Sequence, residues 1–187
     1  MSVVDLFMRA QQVFDANVRL IKEDHWGLPT PCTEWDVRAL VNHLANENAW
    51  ARPMLESRSI AEVGNALDGD LLGDDPVSAW EGWAAEARDI MATPGVVEAT
   101  VHASFAELSG EEYIGQLWVD HLIHAWDLAR AIGADEAMDP ELAQIAYDEL
   151  KPMEEALKSS GAYGDKVEVS EGADLQTKLL AVTGRRA

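Results

Sequence analysis

The sequence predicts an all-α fold: a helical bundle with short extra helices and one short β segment. Three observations carry that expectation. Apolar residues recur at the three-and-four spacing that lines one helix face in successive stretches of the 187 residues. Clusters of glycine and proline separate those stretches. Partial alternation of β-branched residues marks one segment near residue 100.

Each element follows in order. Residues 3–22 place Leu6, Phe7, Val13, Phe14, Val18, Leu20 and Ile21 on a helical period and form the first helix. Trp26-Gly-Leu-Pro-Thr-Pro-Cys is a loop. Thr33 then opens a second helix as its N-cap, with Asp36 three residues on as the acidic partner. That helix runs through Val37, Leu40, Val41, Leu44 and Ala45 towards Trp50. Residues 64–75, rich in Gly and Asp, are expected to be a mobile loop, and residues 76–91 a third long helix with Trp80 and Trp83 three apart. Residues 96–105 read as a short strand or hairpin. The segment from Ser109 starts a long central helix, and Gly133 ends it just past the last turn. Residues 140–157 form another helix, which Pro152 kinks or splits. Residues 175–182 are a short terminal helix or a packed extension. With no internal repeat and no visible boundary, residues 1–187 are expected to form a single domain.

Composition narrows the function classes. A formal charge of −20 repels phosphates and argues against nucleic acid as a partner. No run approaches the roughly 20 apolar residues of a membrane helix, so no membrane partner is expected. The first residues lack a basic stretch followed by an apolar one, so no secretory signal is expected. The single cysteine, Cys32, allows no intrachain disulfide framework and fits a reducing cytoplasm, the expected location.

The chemistry concentrates in the central helix, Leu117-Trp-Val-Asp-His-Leu-Ile-His-Ala-Trp-Asp-Leu-Ala-Arg-Ala. It is apolar nearly all round, which marks a buried helix. At about 100° per residue, Asp120 and His124 lie about 40° apart on one face, and Asp127 within about 60° of His124. A buried carboxylate and imidazole need partners, and a metal ion is one such partner. His43, among apolar residues of the second helix, can converge with them if the two helices face each other. Two imidazoles and a carboxylate suit Zn²⁺, Ni²⁺ or Fe²⁺, and three protein ligands leave positions open for water or substrate. Spacing alone leaves the alternative open that His43 and His124 are hydrogen-bonded core residues. His121 is turned about 100° from Asp120 and reads as an alternative ligand or a rim or packing residue. His25 is expected to be exposed and His102 to lie in the strand. Glu47, one turn past His43, is a candidate ligand or base, against a plain solvated carboxylate. Asp127 either orients an imidazole or pairs with Arg130. Arg130 is a candidate for binding an anionic substrate, against a plain ion pair. Cys32 is weak evidence for reactivity. The seven tryptophans are core residues, one or two of them candidate pocket walls.

Two segments resemble known signatures: Thr30-Pro-Cys-Thr-Glu-Trp-Asp-Val-Arg-Ala-Leu-Val-Asn-His-Leu and Asp120-His-Leu-Ile-His-Ala-Trp-Asp-Leu-Ala-Arg-Ala-Ile-Gly. They are similar to those of actinobacterial metal-binding proteins related to the N-terminal domain of mycothiol-dependent maleylpyruvate isomerase, within the DinB-like superfamily. The closing Leu179-Leu-Ala-Val-Thr-Gly-Arg-Arg is also similar. The resemblance implies a DinB-like four-helix bundle holding a divalent metal, often zinc, at one end. Carried over residue by residue, the ligands are His43, Asp120 and His124. The acidic ligand is Glu in the isomerase and Asp here, and the chain is short for the isomerase's additional C-terminal domain. Fold and metal site therefore transfer better than reaction.

The expected function is a metal-dependent enzyme using a low-molecular-weight thiol, a mycothiol-type transferase or isomerase, with Arg130 on a substrate carboxylate. The alternatives are a metal-dependent hydrolase with Glu47 as base, or a non-catalytic metal-binding or sensor protein. A small-molecule substrate or thiol is the expected partner, and a homodimer through an apolar helix face is also open.

Overall fold

A computed structural model describes residues 1–154, 157 and 167–187. The chain divides into two compact units, Met1–Asp135 and Glu136–Ala187.

The first unit is a four-helix bundle. Helix α1, Val3–Val18, starts from a capping box: the Ser2 hydroxyl accepts the Asp5 N–H, and the Asp5 carboxylate accepts the Ser2 N–H. It buries Leu6, Phe7, Ala10, Gln11, Phe14 and Val18. It stops four residues short of the expected residue 22. The Leu20 N–H bonds the Asn17 carbonyl and the Ile21 N–H that of Val18, so the chain tightens into a turn. Leu20, expected on the apolar face, stays 56% exposed.

Helix α2 spans Val37–Leu55, and its cap is Asp36, which accepts the Ala39 N–H. The expected Thr33 cap is displaced for a local reason. The Trp35 N–H bonds the Cys32 carbonyl, and the Thr30 N–H bonds the Trp35 carbonyl, so residues 32–35 close as a turn before the helix can begin. A single turn, α3 (Ile60–Val63), follows, then α4 (Pro76–Met91), whose bounds match the sequence expectation. Pro76 sits at the start of α4, where its missing N–H costs nothing.

The β segment is a hairpin. Strands β1 (Thr100–His102) and β2 (Glu107–Ser109) pair antiparallel, with Val101 opposite Leu108. Ser109 then caps α5, Gly110–Ile132, in a box with Glu112. Gly110 is required by close approach: its N–H bonds the Ala99 carbonyl at 2.8 Å, and a Cβ there would lie 1.9 Å from the Val96 oxygen. Gly133, at φ 69°, ends α5 in the left-handed region that favours glycine.

Helix α1 packs on α5 and α2 on α4, and α2 with α5 and α1 with α4 close the ring. Phe14, Val18, Leu40, Val41, Leu44, Trp80, Ala84, Ala125 and Leu128 fill its interior. Burial of this apolar surface, at about 25 cal/mol per Å², contributes most to holding the bundle together.

The second unit pairs α6 (Pro140–Leu150) with α7 (Leu175–Val182). The expected helix over residues 140–157 tightens into a 3₁₀ turn, Lys151–Met153, at Pro152. Of the remainder of that expected helix, residues 155 and 156 lie outside the described residues. Helix α7 begins and ends where the sequence places it. Among the described residues no helix is long and apolar enough to cross a membrane.

Candidate metal centre

Three of the bundle's own positions converge. His43 on α2 and Asp120 and His124 on α5 bring one ligand atom each to within 4.8 Å of one another. The Asp120 carboxylate lies between the two imidazoles: Oδ2 is 2.9 Å from His43 Nε2, and Oδ1 is 3.3 Å from His124 Nε2. The His43 and Asp120 side chains are 27% and 25% exposed, so the group opens to solvent, while His124 at 7% forms its floor. Tetrahedral ligands about 2.0–2.2 Å from an ion stand about 3.3 Å apart, close to these separations.

The orientation of His124 is set from behind. Its Nδ1 bonds the fully buried Asp127 carboxylate at 2.9 Å. That is the first of the two roles considered for Asp127, and it turns Nε2 towards Asp120 and His43. The donor set and this backing carboxylate therefore fit a divalent ion.

A hydrogen-bonded loop borders the group. The Thr30 hydroxyl accepts the Cys32 N–H at 3.2 Å and donates to the Trp35 carbonyl at 2.8 Å. Pro29 and Asp36 are bridged across the loop's base. The Trp35 ring is thereby held 4.7 Å from His43 and 5.7 Å from His124. Cys32 Sγ is held 3.4 Å from Asp127 Oδ2 and 3.9 Å from His124 Nδ1.

Charge follows from these contacts. Burial opposes ionisation of Asp120, but the charge of His124 and hydrogen bonds from His124 and His43 outweigh it and hold the carboxyl well below its usual range. Burial likewise opposes charging of His124, yet Asp120's charge and hydrogen bonds to Asp120, Asp127 and Cys32 raise it well above the usual imidazole value. Glu47, half-buried one turn past His43, has its carboxyl pushed up to about 7, by burial first and then by the Asp120 charge. Burial and the Glu47 charge in turn push the Tyr113 phenol up.

The other candidates fall elsewhere. His121 is fully buried against Phe7, at 5.2 Å, and Phe14 and Trp80. Its Nδ1 donates to the Leu117 carbonyl at 2.8 Å, so it is a packing residue in the core and not at a rim. His25, expected to be exposed, is tucked in with its side chain only 15% exposed. The reason is that backbone bonds from Val37 and Arg38 to Leu28 and Trp26 draw its loop against the start of α2. His102 stands on β1, 3.6 Å from Glu107 on the partner strand. Arg130 is exposed in the last turn of α5, its guanidinium 4.9 Å from the centre of the Trp126 ring. Sequence reasoning missed the contacts of Cys32 and Trp35 and the place of Tyr113 beside Glu47. The signal for the first two was the tight spacing of Thr30, Cys32 and Trp35 immediately before the His43 helix.

Residues 7–129 match the family model described as the mycothiol maleylpyruvate isomerase N-terminal domain. Two uncharacterized Mycobacterium tuberculosis proteins, MT0763 of strain CDC 1551 / Oshkosh and Rv0738 of strain ATCC 25618 / H37Rv, are each 36% identical over 139 residues. That alignment covers 72% of this chain and 70% of each relative. No solved structure matches significantly. The chain belongs to the mycothiol maleylpyruvate isomerase N-terminal domain family.

Proposed function

We propose that the protein holds one divalent metal ion, zinc foremost, through His43, Asp120 and His124, and uses it to activate a low-molecular-weight thiol of the mycothiol type. The thiol then attacks an electrophilic small molecule, in a transfer or an isomerisation. The observation that supports this reading most is the convergence of two imidazole Nε2 atoms and one carboxylate on a solvent-open face, with Asp127 fixing the His124 tautomer from behind.

When bound there, a divalent ion lowers the pKa of a coordinated thiol. The chain's own residues supply the remaining steps. Glu47, whose carboxyl burial holds above its usual range, accepts the S–H proton of the incoming thiol. The sulfur then adds to the electrophilic carbon, and the proton passes from Glu47 to the atom that gains the electron pair. Trp35 walls one side of the imidazoles and excludes water there. Arg130 has no part in this proposal, since it lies a turn and a half past His124 with its guanidinium on Trp126. A cytoplasmic location belongs to the same proposal, because thiols are kept reduced there.

A second reading, hydrolysis by a metal-activated water, is favoured by the same raised Glu47 carboxyl, which can take a proton from water as well as from a thiol. Calorimetric titration of the metal-loaded protein with mycothiol separates the two. The expected result is saturable binding, lost in His43→Ala. Run in two buffers of different ionisation enthalpy, wild type should retain the thiol proton, and Glu47→Gln should release it to the buffer. Metal-loaded protein that shows no thiol binding overturns the thiol reading and leaves the hydrolytic one.

A further inference from the structure

The triad engages only Nε2 of His124. Its other nitrogen, Nδ1, belongs to a second cluster. Cys32 Sγ, His124 Nδ1 and an Asp127 carboxylate oxygen lie within 4.8 Å of one another. The three edges of this triangle are 3.9 Å from sulfur to nitrogen, 3.4 Å from sulfur to oxygen and 2.9 Å from nitrogen to oxygen. A tetrahedral ion with sulfur at about 2.3 Å and nitrogen and oxygen at about 2.0–2.2 Å sets those edges at about 3.6, 3.6 and 3.4 Å. The arrangement is within about half an ångström of a ligand face on every edge.

Its placement is built by the fold. The Asp127 side chain has no exposure and that of His124 only 7%. Cys32 reaches them across 95 residues of sequence because the Thr30 hydroxyl fixes the backbone on either side of it. The set of thiol, imidazole and carboxylate differs in kind from the triad. Sulfur makes it selective for softer cations.

We infer that Cys32, His124 and Asp127 form a second metal site, for a thiophilic divalent cation such as Cd²⁺. Binding there displaces two protons to solvent, that of the Cys32 thiol and the one His124 Nδ1 donates to Asp127, and so frees the Nδ1 lone pair. A neutral imidazole then carries its one proton on Nε2 and has no lone pair left for the triad. The two sites therefore compete for His124, and a soft cation in the second disables the first. Cation binding at Cys32, His124 and Asp127 does not depend on the proposed function, whereas the competition with the triad rests on it.

The test is a Cd²⁺ titration of the metal-free full chain, followed by the ultraviolet thiolate-to-cadmium charge-transfer band. Wild type should develop the band to saturation at one ion per chain. His43→Ala, which breaks the triad alone, should keep it. Asp127→Asn should weaken the cadmium affinity at least tenfold, and His124→Ala should do so as well, so a fold defect in one variant does not decide the matter. Absence of the band in wild type overturns the inference. Loss of the band in His43→Ala would make Cys32 a mere adjunct of the triad. Unchanged affinity in both Asp127→Asn and His124→Ala would reduce the binding to a lone thiolate. Either of these results overturns it too.

Discussion

His121 and His124 lie three residues apart on one helix, and both are buried, yet their imidazoles are driven in opposite directions. His121 is enclosed by Phe7, Phe14 and Trp80, and its Nδ1 bonds a backbone carbonyl of its own helix. Burial lowers it to about 4, so it stays neutral. His124 is buried nearly as well but stands between Asp120 and Asp127, and those partners raise it. Burial decides the state of His121, whereas at His124 the two carboxylates outweigh it, and that difference separates a packing residue from a residue that can ligate.

The largest expected effect breaks the His124 side of this pair. His124→Ala should lose more than the about 10–100-fold in metal affinity that removal of a backing group costs, because it removes a ligand itself. His121→Phe should leave metal affinity within a few-fold, and metal titration by calorimetry checks both. If the two variants lose metal equally, the distinction between the faces of α5 fails.

The next effect is on stability against pH. The folded pKa of His121 is depressed from 6.5 to about 4, so its contribution is fully present above 6.5 and is lost as pH falls through that window. Integrated over that shift, wild type should lose about 3 kcal/mol relative to His121→Phe between pH 7 and pH 4. Taking the difference between the two chains removes the opposing shifts of His124 and Glu47, which both chains share. Urea denaturation at the two pH values measures it, and a pH-independent difference would show that His121 is not held neutral.

How much of this contrast was legible in the sequence depends on the range of the contact. The i, i+4 pair Asp120–His124 and the i, i+3 partner Asp127 follow from helix geometry, and so do the Ser109 start and the Gly133 stop of α5. His43 joined them only on the assumption that α2 faces α5, which packing bears out. The Thr33 cap failed because Thr30 and Trp35 close a turn first, a contact that local propensity does not encode. The spacing of Thr30, Cys32 and Trp35 marked the loop, but the partner of Cys32 lies 95 residues away and no local pattern names it. His25 looked like a loop residue, and its burial comes from backbone bonds to α2 that no side-chain pattern announces.

Two smaller effects sharpen the comparison further. Asp127→Asn keeps the shape but removes the charge behind His124, and should cost about 10–100-fold in metal affinity with helicity intact by circular dichroism. Ser109→Ala removes the cap of α5 and should lower unfolding stability by about 1 kcal/mol in urea melts, with metal affinity unchanged. An affinity loss in Ser109→Ala comparable to that in Asp127→Asn would mean that the site senses general loosening of α5 and not the charge on Asp127.

We propose that two imidazoles and one carboxylate on α2 and α5 hold a metal ion. Elemental analysis of untagged protein, purified without chelator or added metal and run beside His43→Ala, decides this. One divalent ion per chain is expected in wild type and none in the variant, with equal helicity. A metal-free wild type, or a His43→Ala chain that keeps full stoichiometry, would contradict it and return His43 and His124 to hydrogen-bonded residues of the bundle.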